Sequence, residues 1–164
     1  INRPSRPGAP QDLCGCLIAF KHSMGTDHTG SDIEEFVAAA FTETMDRGRT
    51  DAAEEYFSER LDYHRSSGER GGRRELQDGM EMFHTAFPHL DAEVPRIMSQ
   101  GGKVSFIYTL SGTHEGEFEG IPPTGQEMSA KGAAIVEVDG DAISEYRIVF
   151  DNLGMLEQLG VLGD

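Results

Sequence analysis

A histidine stands at the end of an alternating apolar segment, where it could take part in acid–base chemistry. His114 has the same parity as Val104 and Tyr108 in the segment 104–114, and side chains alternate between the two faces of a strand. His114 is therefore expected on the apolar face, where an imidazole could donate a hydrogen bond or shuttle a proton near neutral pH. The alternative is a core histidine bonded to a backbone carbonyl group, and the spacing alone favours it.

An aspartate ends the last apolar segment of the chain. Asp151 directly follows Phe150 and precedes a predicted helix. A buried carboxyl group at this point would suit a general acid or base. Two other roles are open, because Asp151 could cap the helix or face water with Glu145 and Arg147, whose parity it shares. The sequence alone favours the helix cap.

The histidines and cysteines do not form a recognisable metal-binding pattern. None of the six histidines pairs with another at helical ligand spacing around a glutamate. Cys14 and Cys16 are separated by one glycine. This spacing is too short for an easy disulfide, and two cysteines are too few ligands for a zinc site. We expect free thiols and no metal site.

The charge of the chain excludes two classes of partner. Fourteen Lys and Arg residues stand against 29 Asp and Glu residues, for a formal charge of −15. This charge repels phosphate backbones and anionic lipid surfaces, so we expect no nucleic-acid or membrane partner. Only Lys21, Lys103 and Lys131 are lysines, a pattern typical of salt-adapted proteins and also of ordinary acidic ones. Salt adaptation predicts stability that rises from dilute buffer to molar salt.

The N-terminal 30 residues are expected to be a tail outside the domain. They contain Pro4, Pro7 and Pro10 and show no periodicity. The apolar run 13–20 is far shorter than the ~20 residues that span a bilayer, and no small-residue cleavage site follows it. We expect a cytoplasmic protein with a tail at 1–30 and one domain at 31–164.

Amphipathic helices come first in the predicted domain. A capping box of Ser31 and Glu34 starts a helix that ends at Gly48. A second capping pattern at 51–54 predicts a short helix, followed by an extended segment at 61–64. A third helix is predicted at 73–87, where apolar residues including Phe83 share one face.

Strands follow the helices. Alternation predicts strands near 92–99, 104–114, 127–138 and 142–151, and glycine-containing turns join the first pair and the last pair. A short helix is predicted at 153–159. Helices followed by an antiparallel meander predict an α+β fold, with the helices packed on one face of a curved sheet. Such a cone can enclose an apolar ligand.

A longer motif connects these elements to a known family. Residues 112–125, with the sequence GTHEGEFEGIPPTG, resemble the signature of the SnoaL-like polyketide cyclase (ester cyclase) family. In that signature a Gly-Thr-His-x-Gly strand end leads into a Pro-Pro-Thr-Gly turn. Three flanking features agree in order: Ala86-Phe87-Pro88, Asp139-Gly140 and Gln158-Leu159-Gly160.

The resemblance implies both a fold and a chemistry. It implies a cone-shaped α+β barrel of the nuclear transport factor 2-like (cystatin-like) kind that uses no cofactor and often forms dimers. An aspartate at the end of the last strand is the acid/base of the cyclases in an intramolecular aldol condensation, and Asp151 matches it. His114 matches the signature histidine and is assigned as a donor to developing enolate charge. His64 falls where the cyclases have a polar pocket residue.

We therefore predict a cofactor-independent cyclase or isomerase that acts on an apolar, polyketide-like carbonyl compound, in a homodimer or higher oligomer. The predicted catalytic residues are Asp151 and His114. The predicted substrate-binding residues are His64, Tyr108, Glu137 and Phe83. Two alternatives stay open. One is an epoxide hydrolase that uses Glu137 and Arg147 beside the aspartate, and the other is a non-catalytic small-molecule-binding module in which Asp151 is only a cap.

Overall fold

Six strands form one curved, unclosed sheet in the computed structural model, which describes residues 30–162. In chain order the strands are β1 (Phe57–His64), β2 (Arg70–Gly71), β3 (Asp91–Gln100), β4 (Lys103–Thr113), β5 (Glu127–Asp139) and β6 (Ala142–Phe150). Their order across the sheet is β2-β1-β6-β5-β4-β3. The α+β class and the four-strand meander predicted from the sequence are confirmed.

The sheet differs from the prediction at one edge. The segment predicted only as an extended exit from the second helix is strand β1, and it pairs parallel to β6. The segment between β1 and the third predicted helix contains β2, which pairs antiparallel to β1. The sheet is therefore mixed, because β1 precedes the whole meander and adds to the edge that β6 leaves open. This addition brings β1 side chains beside those of β6.

The helices lie mainly before the meander, as predicted. They are α1 (Gly30–Phe41), α2 (Ala53–Tyr56), α3 (Arg73–Ala86) and α4 (Asn152–Gln158). The predicted helix at 31–48 begins one residue earlier and continues after Phe41 as the π-helical turn Thr42–Asp46. The second helix is shorter than expected and follows the 3-10 turn Thr50–Ala52.

The inner face of the sheet carries the core. Along β4, Val104, Phe106, Tyr108 and Leu110 are buried, while the alternate residue Ile107 is exposed. Helices α1 and α3 supply buried residues that pack against this face, among them Phe36 and Met80.

Some sequence predictions concern residues that the structure does not describe or test. The predicted tail, apart from Gly30, and both cysteines lie outside the described residues. Within residues 30–162, no helix is both long enough and apolar enough to cross a bilayer.

Candidate functional site

A cavity of about 300 Å³ lies between the inner face of the sheet and helices α3 and α4. Most of its wall is apolar, because inward side chains of β4 and β6 meet the apolar faces of the helices. The apolar lining includes Phe41, Met45, Leu76, Met80, Phe83, Leu110, Ile148, Phe150 and Met155. This space is the candidate ligand site.

Three tyrosines supply buried polar groups of the cavity wall. Tyr63 extends from β1, Tyr108 from β4 and Tyr146 from β6, and all three side chains are buried. The rings of Tyr63 and Tyr146 stack with centroids 5.9 Å apart. Burial raises the pKa of Tyr108 and of Tyr146, and the neighbouring tyrosines raise it further. Both phenols therefore keep their protons at neutral pH and are available as hydrogen-bond donors to a ligand.

A glycine fixes the position of Tyr108. Gly132 on β5 lies directly opposite Tyr108, and a Cβ atom there would come within 2.2 Å of the Tyr108 Cζ atom and 2.4 Å of its hydroxyl oxygen. The ring thus rests on the glycine backbone and stacks on Phe150 of the next strand, with centroids 6.1 Å apart. Only glycine leaves room for this arrangement.

Polar and exposed residues mark the mouth of the cavity. Arg65 follows β1, and its guanidinium carbon lies 5.8 Å from the centroid of the Tyr63 ring. Gly79 on α3 lets this side chain approach, since a Cβ atom there would lie 3.4 Å from an Arg65 nitrogen. Arg65 pairs with the exposed Glu69 at 3.6 Å. The mouth therefore carries one cation beside the Tyr63 ring.

The motif 112–125 contributes a turn to the mouth of the cavity. Phe118 and Ile121 pair across a tight turn, in which Glu119 has a φ of 48°. A positive φ is uncommon for a residue other than glycine. Phe118 anchors the turn by packing edge-on against Phe83, with ring centroids 5.2 Å apart. The exposed Glu119 lines the cavity.

Of the six predicted site residues, Tyr108 and Phe83 line the cavity. The other four lie elsewhere. His114 is fully buried beside Phe87, with ring centroids 5.4 Å apart. Its Nδ1 accepts a hydrogen bond from the Thr124 backbone N–H and lies 3.1 Å from the Thr124 hydroxyl oxygen. His114 thus holds the two ends of the motif 114–124 together, in a position outside the cavity wall.

Asp151 is exposed and is not among the cavity residues. Its carboxylate accepts a hydrogen bond of 2.9 Å from the Gly154 backbone N–H at the start of α4. The physical reason is the alternation along β6, which turns Ile148 and Phe150 inward and Asp151 outward. The carboxyl group thus lies outside the cavity lining, and its contact is the helix cap that the sequence alone favours.

His64 and Glu137 lie on the outer side of the sheet. His64 Nε2 is 2.9 Å from an Asp62 carboxylate oxygen, and this hydrogen bond lowers the pKa of Asp62. Glu137 accepts a 3.0 Å hydrogen bond from Lys103. In both strands the neighbours Tyr63 and Val136 take the inward positions. The predicted contacts of His64 and Glu137 with a ligand are not found at this cavity.

Most of the polar cavity residues carry no recognisable motif. Tyr63 lies in, and Arg65 directly after, a segment that the sequence predicts only as extended, and no local signal places that segment in the sheet. Tyr146 shares the parity of Ile148 and Phe150 in β6, so the alternation in that strand was the available signal. Within residues 30–162, no group of three His, Cys, Asp or Glu side chains is placed to hold a metal ion.

Solved structures with the same fold come from several bacteria. AclR, a candidate hydroxylase from Streptomyces galilaeus, is 24% identical over 83% of this chain and 89% of its own, with a TM-score of 0.75. IdmH, a candidate polyketide cyclase from Streptomyces antibioticus, is 26% identical over 82% of this chain and 100% of its own, with a TM-score of 0.69. An LEH-like epoxide hydrolase from M. tuberculosis is 18% identical over 79% of this chain and 90% of its own, with a TM-score of 0.60.

The family comparison agrees with the motif and the fold. No curated protein matches the chain. The model of the family described as SnoaL-like polyketide cyclase matches residues 35–159, which include every strand and the motif 112–125. The chain therefore belongs to the SnoaL-like polyketide cyclase family.

Proposed function

We propose that this chain is a cofactor-independent cyclase or isomerase that acts on an apolar carbonyl compound bound in the cavity. The observation that carries the proposal is the cavity itself, an apolar space with three buried phenol groups in its wall. Its volume of about 300 Å³ is at the lower end for ligand pockets, which suits a compound of one to three rings. Since related folds include a hydroxylase, a cyclase and an epoxide hydrolase, the fold alone does not select the reaction.

The proposed reaction transfers one proton in each direction. A carboxylate removes a proton from the carbon next to the carbonyl group, and the electron pair moves onto the carbonyl oxygen as an enolate. In a cyclase the enolate carbon then attacks a second carbonyl group, whereas in an isomerase a different carbon takes the proton back. The carboxylic acid returns its proton to the new alkoxide or carbon, so the net charge is unchanged.

Asp151 is our first candidate for this carboxylate. Two observations support it: its match to the family position, and its place between Phe150 and Asn152, which both line the cavity. Because its carboxylate now accepts the Gly154 N–H bond, acid–base work requires this side chain to turn away from the cap. Glu119 is the alternative, since it lines the cavity from the motif turn.

A second candidate function is a binding module without catalysis. The exposed, helix-capping position of Asp151 favours it. The epoxide hydrolase alternative has less support, because the arginine and second carboxylate suggested for it lie on the outer face. Glu137 there pairs with Lys103 and Arg147 with Glu145.

Proton exchange on a model ketone tests the proposal. 2-Tetralone is an apolar bicyclic ketone, and its exchange of carbon-bound hydrogen for deuterium in heavy water can be followed by NMR. We expect the wild-type chain to accelerate this exchange and Asp151→Asn to reduce the acceleration about 100-fold or more. Asparagine is also a good N-cap, so this variant removes the base and keeps the cap.

Two further variants separate the roles. Asp151→Ala removes both functions and should lower the free energy of unfolding by about 0.5–2 kcal/mol, whereas Asp151→Asn should leave it nearly unchanged. If Glu119→Gln abolishes the exchange and Asp151→Asn does not, Glu119 is the base. Binding of 2-tetralone without any accelerated exchange supports the binding module, and failure to bind any apolar ketone contradicts both functions.

We also propose that the chain forms a homodimer through the outer face of the sheet. Four exposed apolar residues lie there on neighbouring strands: Met98, Ile107, Ile135 and Val149. Exposed apolar patches of this kind are uncommon on monomers and mark contact surfaces. Charges of both signs flank the patch, among them Arg147, Glu137 and Glu145. A second copy offers the same apolar patch and both signs of charge, so the surface suits self-association.

A further inference from the structure

The three tyrosines of the cavity form a cluster of hydrogen-bond donors. They extend inward from three different strands, and Tyr63 and Tyr146 lie opposite each other in the β1–β6 pair. Their ionisations are linked, since Tyr108 and Tyr63 both raise the pKa of Tyr146 after burial has raised it. The cluster therefore consists of neutral phenols that lie near one another.

Two of these donors are uncommitted within the part of the chain that the structure describes. Neither the Tyr108 hydroxyl nor the Tyr146 hydroxyl has a hydrogen bond to another described residue, whereas Tyr63 interacts with Arg65. The sealed polar atom without a partner among the described residues is His114 Nε2, so the tyrosine hydroxyl groups are open to the cavity and available to a ligand. A ligand oxygen placed among the three hydroxyl groups would accept hydrogen bonds from them.

The charged groups of the described lining lie at the mouth of the cavity. Arg65 lies over the Tyr63 ring and is the cation of the lining. The carboxylates among the described lining residues are Glu69 and Glu119, and both are exposed at the mouth. The buried part of the described lining thus contains three phenols and no carboxylate. The net charge of −15 acts from outside and is screened over about 8 Å at physiological salt.

We infer that the cavity selects ligands that carry an oxyanion on an apolar ring system, such as the enolate of a cyclic 1,3-dicarbonyl compound or a phenolate. The hydroxyl groups of Tyr63, Tyr108 and Tyr146 bind this oxygen, and Gly132 fixes the position of Tyr108. The inference rests on the proposed function, in which an enolate forms in the same cavity. Neutral donors in an apolar site are an effective way to stabilise such a charge.

Binding of 4-nitrophenol and its methyl ether, 4-nitroanisole, tests the inference. The two probes have similar size, but only 4-nitrophenol ionises, and its anion absorbs visible light. We expect the chain to bind the anion about 10-fold or more tightly than the ether in 0.15 M salt, as charge-assisted hydrogen bonds predict. The bound probe should then ionise at lower pH than the free probe, which the absorbance reports directly.

Substitutions that remove single hydroxyl groups identify the donors. Tyr108→Phe and Tyr146→Phe should each weaken binding of the anion about 10-fold and leave binding of the ether unchanged. Tyr56→Phe is the matched control. Tyr56 is the tyrosine of the chain that does not belong to the cluster. It packs on Phe36 and is not among the cavity residues. This variant should bind both probes like the wild type.

Several results would overturn the inference. Equal affinity for the two probes would show selection by shape alone, and the proposed apolar binding would survive. A preference for the anion that disappears in Arg65→Gln and persists in both tyrosine variants would assign it to the arginine. A loss in Tyr56→Phe equal to that in Tyr108→Phe would place the probe outside the cavity. If neither probe binds and 2-tetralone does not bind either, the proposed function fails as well.

Discussion

The two faces of the sheet differ in the exposure of their apolar side chains, although the same strands build both faces. On the inner face, Phe106 and Val136 are buried, and the tyrosines meet a cavity. On the outer face, Ile107 and Ile135 are exposed among charged groups, and each is the immediate neighbour in sequence of one of these buried residues. Both faces thus contain apolar side chains. The inner ones pack against helices, whereas the described residues place nothing on the outer ones.

This difference shows that parity along the strand decides which polar residues can reach a ligand. Tyr63 and His64 are neighbours in β1, yet Tyr63 lines the cavity and His64 pairs with Asp62 outside it. Phe150 and Asp151 divide in the same way at the end of β6. A residue type that suits catalysis is therefore not enough to assign a catalytic role. The face of the sheet on which the residue lies must be known as well.

The largest expected effect comes from truncating the inner face. Phe106→Ala removes a ring that packs against Phe41, with centroids 5.5 Å apart, and should lower the free energy of unfolding by about 3–5 kcal/mol. Ile107→Ala, one residue away on the exposed face, should change the value for the monomer by about 0.5 kcal/mol or less. Urea denaturation followed by circular dichroism measures both values. Similar losses in the two variants would contradict the division into a packed and an open face.

Alkaline pH should also act on the inner face. The pKa values of Tyr108 and Tyr146 are raised from 10.0, first by burial. The unfolded chain therefore loses these protons at lower pH than the folded chain, and stability falls as the pH rises above 10. At pH 11 the loss is about 1.4 kcal/mol for Tyr108, and Tyr146 and Tyr63, whose pKa values are also raised by burial, add to it.

A pair of variants checks this pH dependence. The stability of Tyr108→Phe should fall by about 1.4 kcal/mol less than that of the wild type between pH 8 and pH 11. Lys103→Gln removes a titratable group from the outer face and is the control, with little change expected in the tyrosine-dependent loss. An unchanged loss in Tyr108→Phe would mean that its hydroxyl ionises freely in the folded chain.

Much of the fold could be predicted from the sequence because its signals are local. Alternation and glycine turns defined the meander β3–β6, and an apolar stripe defined α3. Strand β1 was missed as a member of the sheet because its pairing with β6 joins residues about 80 positions apart. No local pattern indicates that parallel partner.

The site was less predictable because most residues of the family motif hold the elements around the cavity together and do not line it. His114 holds the motif loop through Thr124. Gln158 joins α4 to β5 through hydrogen bonds with the Ser129 backbone, and Asp151 caps the same helix. These are the residues that a motif makes visible. The cavity tyrosines lie outside it, so only the parity of each strand could reveal them.

The smallest effect on folding, and the sharpest test of the outer face, is expected from a charge placed in its centre. Ile135 is 53% exposed, so Ile135→Lys should change the free energy of unfolding of the monomer by about 0.5 kcal/mol or less. In a homodimer through this face the substitution appears twice and places like charges in a shared apolar contact, which should shift the population to monomers in analytical ultracentrifugation. Glu93→Lys, a change on strand β3 away from the patch, is the control and should not alter the mass. A wild-type chain that sediments as a monomer, or a dimer that survives Ile135→Lys, would contradict the proposed interface, because the open face would then have no partner of its own kind.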